Sequence, residues 1–285
     1  MSINQDRNAE DTHFYLDNAP PSEVSHVLRV LSAGNALTPN EIAKIMADEY
    51  GFEMQRDHSY SPRRLYDLGL AHQESQGPKF TYKLTERGLK LQTIQAMDLS
   101  LATDLMHYLH YTGYSSNPND RKYLWSYRRC CERVWANGCL LKHKDLASEV
   151  LATMREEFDS LDWTAPVGAR FDSTAVGRIY TWLRALEPPP FTKSNRNLIP
   201  RYVERHELAL LALDDTYRSR GYRYGDAVLM DESLVTQVAG VFFLDLKCCA
   251  DLLRLSTNIA PCVKMSDTLS GASINLLRPF TVEDL

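Results

Sequence analysis

The chain has 285 residues, 44% of them hydrophobic and 24% charged, with a formal net charge of −5. Broad disorder is excluded by that composition, which suits one large domain or two to three small ones. No apolar run reaches about 18 residues, so no membrane-spanning helix is expected, and the acidic balance weakens the case for avid, non-specific nucleic-acid binding.

Residues 1–19 open polar and acidic and lack the basic start and apolar core of a signal peptide. They read as an arm or strap that Phe14, Tyr15 and Leu16 could dock, and a cytoplasmic protein is expected. Ser22 to Leu31 (SEVSHVLRVL) spaces Val24, Val27, Leu28 and Leu31 on one helical face, with Ser22 as N-cap and Gly34 as stop. Thr38-Pro39-x-Glu41 is a capping box opening a second helix that turns Ile42, Ile45 and Met46 inward and ends at Gly51. Ser61, with Pro62 at the first helical position, is read as the cap of a third helix. Leu65, Leu68 and Leu70 form its apolar side, Arg63, Arg64 and Asp67 the other, and Gly69 closes it. Leu70 to Glu74 and Phe80 to Leu84 read as strands around the turn Gln76-Gly77-Pro78. Thr85 caps a fourth helix, with Gly88 early in it.

Three helices followed by a two-stranded wing resemble the winged helix-turn-helix family over about residues 20–97. The resemblance implies that the third helix enters the major groove and the wing touches the backbone of double-stranded DNA. It makes Ser59, Tyr60, Arg63 and Arg64 the groove-facing candidates, and Lys79, Lys83 and Gln76 the wing candidates. Arginine is the commonest reader of guanine, and either cation neutralises phosphate. Winged helices also bind protein, so both kinds of partner stay open.

Leu99 to Tyr111 is an amphipathic helix, and Tyr111 to Asn119 reads as a loop. Tyr123 to Ala136 is helical again and carries the densest basic cluster: Arg121, Lys122, Arg128, Arg129 and Arg133, interleaved with aromatics. Two readings are open: a phosphate-facing patch, or an exposed face neutralised by carboxylates such as Glu132. Residues 99–225 hold 18 Lys/Arg against 15 Asp/Glu, the only net-basic section of the chain.

Asp145 to Phe158 and Ser173 to Leu186 are further amphipathic helices, the second stopped by Glu187-Pro-Pro-Pro. RRLYDLGL and GRIYTWLRAL occupy matching places, so a second winged-helix-like unit is expected at 140–205. Arg178, Arg184, Lys193 and Arg196 would be its DNA-facing set; the alternative is a helical scaffold with a proline-rich loop. Glu204 to Tyr217 is helical. Asp231 to Leu255 holds one apolar helix or two, buried or used as an interface. Residues 256–285 read as a loop with short strands, Ser273 to Phe280 forming an edge strand ended by Arg278 and Pro279.

Chemistry-bearing motifs are absent. There is no phosphate-binding G-x-x-x-x-G-K-[ST], no G-x-G-x-x-G and no G-x-S-x-G. Asp214-Asp215 and Asp231-Glu232 are adjacent pairs on helices, read as solvated, and His206-Glu207 lacks a second histidine. The cysteines (130, 131, 139, 248, 249 and 262) lack C-x-x-C spacing and read as buried thiols, not metal ligands.

The expectation is therefore a mainly α protein with winged helix-turn-helix domain(s), small β-wings and a helical C-terminal region. Its layout would be an arm at 1–19, a winged helix at 20–98, a helical connector at 99–139, a second winged-helix-like domain at 140–205 and a helical region at 206–285. The expected role is non-catalytic DNA binding with no cofactor or metal, in transcription regulation or as the DNA-recognition subunit of a larger machine. Antiviral defence is one such setting. Other protein subunits or a homodimer are further expected partners. The alternative is an assembly subunit that docks through its winged helices and the apolar 234–253 helix.

Overall fold

A computed structural model describes residues 14–55, 57–76, 79–116, 122–158, 171–268 and 271–285. The chain is mainly helical, with small antiparallel sheets. It divides into two compact units, Met1–Arg133 with Leu141–Leu186, and Val134–Leu140 with Glu187–Leu285. No helix among the described residues is long and apolar enough to cross a membrane.

The first unit begins with Phe14 and Leu16 buried, which docks the strap as its apolar residues suggest. Trp182 Nε1 donates to Ala19 O at 3.2 Å, and Arg178 Nη1 to Leu16 O at 2.7 Å. Helices α1 (Pro21–Val30), α2 (Pro39–Tyr50) and α3 (Tyr60–Asp67) follow, then strands β1 (Ala71–Gln76) and β2 (Lys79–Leu84) and helix α4 (Glu86–Met97). The Thr38–Glu41 capping box forms in full, and Gly51 ends α2 at φ 60°. Two helix starts differ from expectation. Ser22 lies inside α1, whose N-cap is Pro20, and Ser61 lies inside α3, whose N-cap is Ser59. Ser61 is buried because its hydroxyl donates to the Glu23 carboxylate instead. A tertiary partner has displaced the local capping role.

The β1–β2 hairpin is antiparallel, pairing Ala71 with Leu84 and Gln76 with Lys79. An isolated bridge joins Leu37, between α1 and α2, to Tyr82 of β2. Val24, Val27, Leu28, Ile42, Met46, Leu65, Leu70, Tyr82 and Leu84 are buried, so the apolar faces of three helices close over one side of the hairpin.

Helix α5 (Leu99–Ser116) packs on α4 and runs five residues past the expected break at Tyr111. Tyr111 and Thr112 are buried there, and Thr112 Oγ1 bonds Tyr108 O at 2.9 Å. Packing overrides the turn-forming composition of that stretch. Helices α6 (Lys122–Asn137), α7 (His143–Glu157) and α8 (Ser173–Arg184) follow, and α7 packs on α8.

In the second unit, α9 (His206–Arg220), β3 (Ala227–Leu229), α10 (Glu232–Phe242), α11 (Leu246–Ile259), β4 (Val263–Thr268) and β5 (Gly271–Leu276) form one assembly. The sheet order is β3-β5-β4, all antiparallel. Ser273–Leu276 thus lies in the central strand, not at an edge. The apolar 234–253 stretch is two helices. They are joined through Phe243 at φ 57°, and Asp245 caps the second by accepting from Cys248 N at 3.0 Å. Leu234, Val238, Val241 and Phe242 are buried, so α10 is core and not a docking face.

Residues 206–285 therefore repeat the element order of 20–84: helix, short strand or bridge, two helices, hairpin. In both, the short extended segment pairs with the second hairpin strand (Leu37 with Tyr82, β3 with β5). The expected second unit at 140–205 is divided instead. Its helices α7 and α8 lie in the first unit and its residues 187–205 in the second. Those later residues contain single bridges, Cys139 to Asn197 and Arg201 to Leu244, but no ladder.

Two consequences can be measured. A Cβ at Gly88 would lie 2.0 Å from Leu70 O, a backbone atom that cannot swing away. Gly88→Ala should cost about 3 kcal/mol or more, read as a fall in urea midpoint. His110 is buried between Tyr127 and Trp182, at 4.9 and 4.3 Å between ring centroids, and burial drives its pKa well below the usual imidazole range. The unfolded chain protonates this histidine below about pH 6.5 while the native chain does not, so stability should fall as pH drops from about 6.5. His110→Phe should flatten that fall in urea titrations at pH 7 and pH 5.

Candidate functional site

Helix α3 is held from beneath by two buried charges. Glu23 of α1 accepts from Ser61 Oγ and from Gln55 N at 2.9 Å. Arg64 is 2% exposed, with its guanidinium 4.4 Å above the Tyr123 ring and 3.9 Å from Asp67. The sequence reading placed Arg64 in the groove. The structure corrects this, because Arg64 shares the inner face with Leu65 and Leu68. Arg63 points out, with Tyr66 one turn on.

At the segment leading into α3 lies an open cleft of about 700 Å³. Its walls are Thr38, Pro39 and Asn40 at the start of α2, Asp57, His58 and Ser59 before α3, and Lys79, Phe80 and Tyr82 of β2. Lys79 is exposed, and so is Phe80, at 51%. Arg63 is near enough to Tyr82 to oppose the burial that pushes this phenol up to about 12. The structure thus brings Ser59 and Lys79 to one cleft, with Arg63 beside it.

The N-terminus of α2 is closed by its own capping box, and a second carboxylate stands just ahead of α3. Glu41 Oε2 accepts from Thr38 Oγ1 at 2.7 Å and Thr38 N at 2.8 Å, and Asp57 Oδ1 accepts from Ser59 Oγ at 2.6 Å and Ser59 N at 3.1 Å. These bonds hold both carboxyls below their usual range. An incoming anion would therefore meet carboxylates at the helix ends, and attraction must come from Arg63 and Lys79. Neither is in an ion pair among the described residues. Lys83 is, at 2.6 Å from Glu74. Tyr60 is half-buried, and burial raises its phenol pKa.

The basic cluster on α6 is spent within the first unit. Arg128 pairs with Glu132 at 2.9 Å and lies 4.7 Å above Tyr111. Arg129 pairs with Glu132 at 2.8 Å and Glu157 at 2.6 Å. Arg133 reaches Thr153 Oγ1 at 3.4 Å, and Lys122 sits 6.0 Å above Phe158. Arg128 and Arg129 fit the neutralised reading, whereas Arg133 is exposed and bonds a hydroxyl; Arg121 lies outside the described residues. Arg178 clamps the strap, stacking 4.5 Å above Tyr15, and Arg184 lies 5.9 Å above Tyr180. In the second unit, Arg196 donates twice to Leu140 O, at 3.0 and 2.7 Å, while Lys193 is exposed.

The Asp214–Asp215 pair, expected to be solvated, is buried. Asp214 accepts from Tyr224 Oη and Arg218 Nε, both at 2.9 Å, and from Phe280 N at 3.2 Å. It pins the C-terminal segment to α9. His206 contacts Glu207 at 3.4 Å, not Asp214. Tyr66 and Phe80 were missed by the sequence reading. Helical spacing from Arg63 could have found Tyr66, whereas the exposure of Phe80 carries no sequence signal.

No protein-family model, curated protein or solved structure matches this chain.

The opposite orientations of Arg63 and Arg64 give a direct contrast. Arg63→Glu should change stability by no more than about 0.5 kcal/mol. Arg64→Glu buries a carboxylate beside Asp67 and should cost about 3–5 kcal/mol, and paired thermal melts separate the two.

Proposed function

We propose that this protein is a non-catalytic double-stranded-DNA-binding protein whose residues 20–98 act as a winged helix. It would serve as a transcriptional regulator or as the DNA-recognition subunit of a larger complex. The observation that supports this reading is that Lys79 of β2 lines an open cleft, while Arg63, exposed on α3, lies near Tyr82 of the same cleft. Helix α3 supplies the base-reading edge and the hairpin the phosphate contact. The footprint is small. With two uncommitted cations and carboxylates at both helix starts, affinity rests on few phosphate contacts, so binding is modest and shape-dependent.

A second reading, assembly with another protein, is favoured by α11. That helix repeats the position of α3 in the element order but exposes Leu246, Leu255 and Ile259.

The test of the first reading is a titration with a random duplex of about 30 base pairs at several salt concentrations. Wild-type binding should weaken as salt rises. Arg63→Glu and Lys79→Glu should each flatten the log–log salt slope by about 1 or more. Binding that ignores salt, or that both variants retain in full, would sink the DNA reading and leave assembly as the working model.

A further inference from the structure

The second unit carries an open groove of about 650 Å³ between α11 and the segment just before α9. Its floor is Val203 and Leu252, and its rim includes Tyr202, at 68% exposure, and Leu255, at 44%. Ile259 follows Leu255 one turn on, at 54%. Apolar side chains clustered around a concavity mark an interaction site more often than scattered ones do.

Charge decides what kind of partner fits. Along α11 the exposed polar stripe runs Lys247, Asp251, Arg254, Asn258, and Glu204 stands on the opposite rim. The stripe is internally paired, Lys247 to Asp251 at 2.7 Å and Arg254 to Asp251 at 3.3 Å. Lys247 and Arg254 stand among three anions, Asp251, Glu204 and Asp245, the last hydrogen-bonded to Tyr202. A nucleic acid would bring its phosphates against those carboxylates, and a peptide of either single sign would meet repulsion as well as attraction. A plus–minus–plus stripe is complemented by the same stripe laid antiparallel. With a two-fold axis between Leu252 and Leu253, the level of Asp251 in one copy is that of Arg254 in the other, twice over. A two-fold interface uses the same patch on both copies, so self-complementarity is its requirement.

We propose that this face of α11 is a homodimer interface, with Leu255 and Ile259 of each copy covering the apolar groove of the other. The inference is independent of DNA contact by α3, and each can fail alone.

The experiment is sedimentation equilibrium on the full chain over a range of concentrations, with circular dichroism melts to show that each variant folds. Wild type should rise with concentration to twice the chain's mass. Leu255→Glu should weaken association roughly tenfold or more, while Arg63→Glu leaves it unchanged. Asp251→Arg alone and Arg254→Asp alone should each weaken self-association, because like charges then face across the axis. Mixed in equal amounts, the two variants should associate more strongly than either alone. A wild-type chain that stays monomeric at every concentration overturns the proposal. So does a dimer indifferent to Leu255→Glu, or a mixture no stronger than its components.

Discussion

Buried charge fixes the orientation of α3, and the character of the candidate site follows from it. A charged group taken out of water costs several kcal/mol unless other groups compensate. Glu23 meets that requirement with Ser61 Oγ and the Gln55 amide, so it ties the start of α3 to α1. Arg64 meets part of it with the Tyr123 ring and Asp67, so it ties the middle of α3 down toward α6. With two points held, the helix has little freedom to roll, and Arg63 is left outward as the cation available to a ligand. The second unit uses the same physics with different residues. Buried Arg201 donates to the carbonyls of Glu187, Pro188 and Phe242, at 2.9, 2.8 and 3.1 Å, and so gathers two loops around one guanidinium.

The two halves of the protein share an element order but present different chemistry. On α3 the outer positions are Arg63 and Tyr66, beside Lys79 on the hairpin. On α11 they are an ion-paired plus–minus–plus stripe flanked by leucine and isoleucine. Helices at the same place in the element order can meet different partners, because the side chains on them decide what they meet. The proposed duplex contact at α3 and the proposed self-association at α11 would account for that difference. Formal charge agrees, since Arg128 and Arg129 of the densest basic cluster are taken up by Glu132 and Glu157, and the chain's net charge is −5.

Carboxylates at the cleft add a filter. Glu41 and Asp57 occupy the helix starts that in other proteins receive phosphate, and their hydrogen bonds keep them ionised. On the proposed reading, a duplex approaching this surface would be held at Arg63 and Lys79 and repelled between them. That arrangement would lower affinity for arbitrary duplex more than for one whose shape keeps its phosphates away from the two acids.

Local chemistry alone was enough to read much of the first unit. Thr38 with Glu41, Gly51 with its positive φ, and Thr85 accepting from Gly88 N act within one helical turn, so the residues that decide them are adjacent in the chain. Apolar spacing likewise set which faces of α2, α6, α7 and α8 turn inward. Long-range partners decided the rest. Arg64 and Arg63 are indistinguishable in sequence, and only the Tyr123 ring, some sixty residues away, draws one inward. Glu132 and Glu157 take up Arg128 and Arg129 of a basic helix. Asp214 and Asp215 read as solvated until Tyr224, Arg218 and the Phe280 amide close over them. The repeat at 206–285 was hidden because strand pairing between β3 and β5 joins residues about fifty apart. Sequence by itself thus determined most of the helices, the Thr38 and Thr85 caps and many inward faces, which depend on neighbours within a turn or two. Tertiary structure alone decided which charges remain for a ligand, because burial and ion pairing depend on groups that only folding brings together.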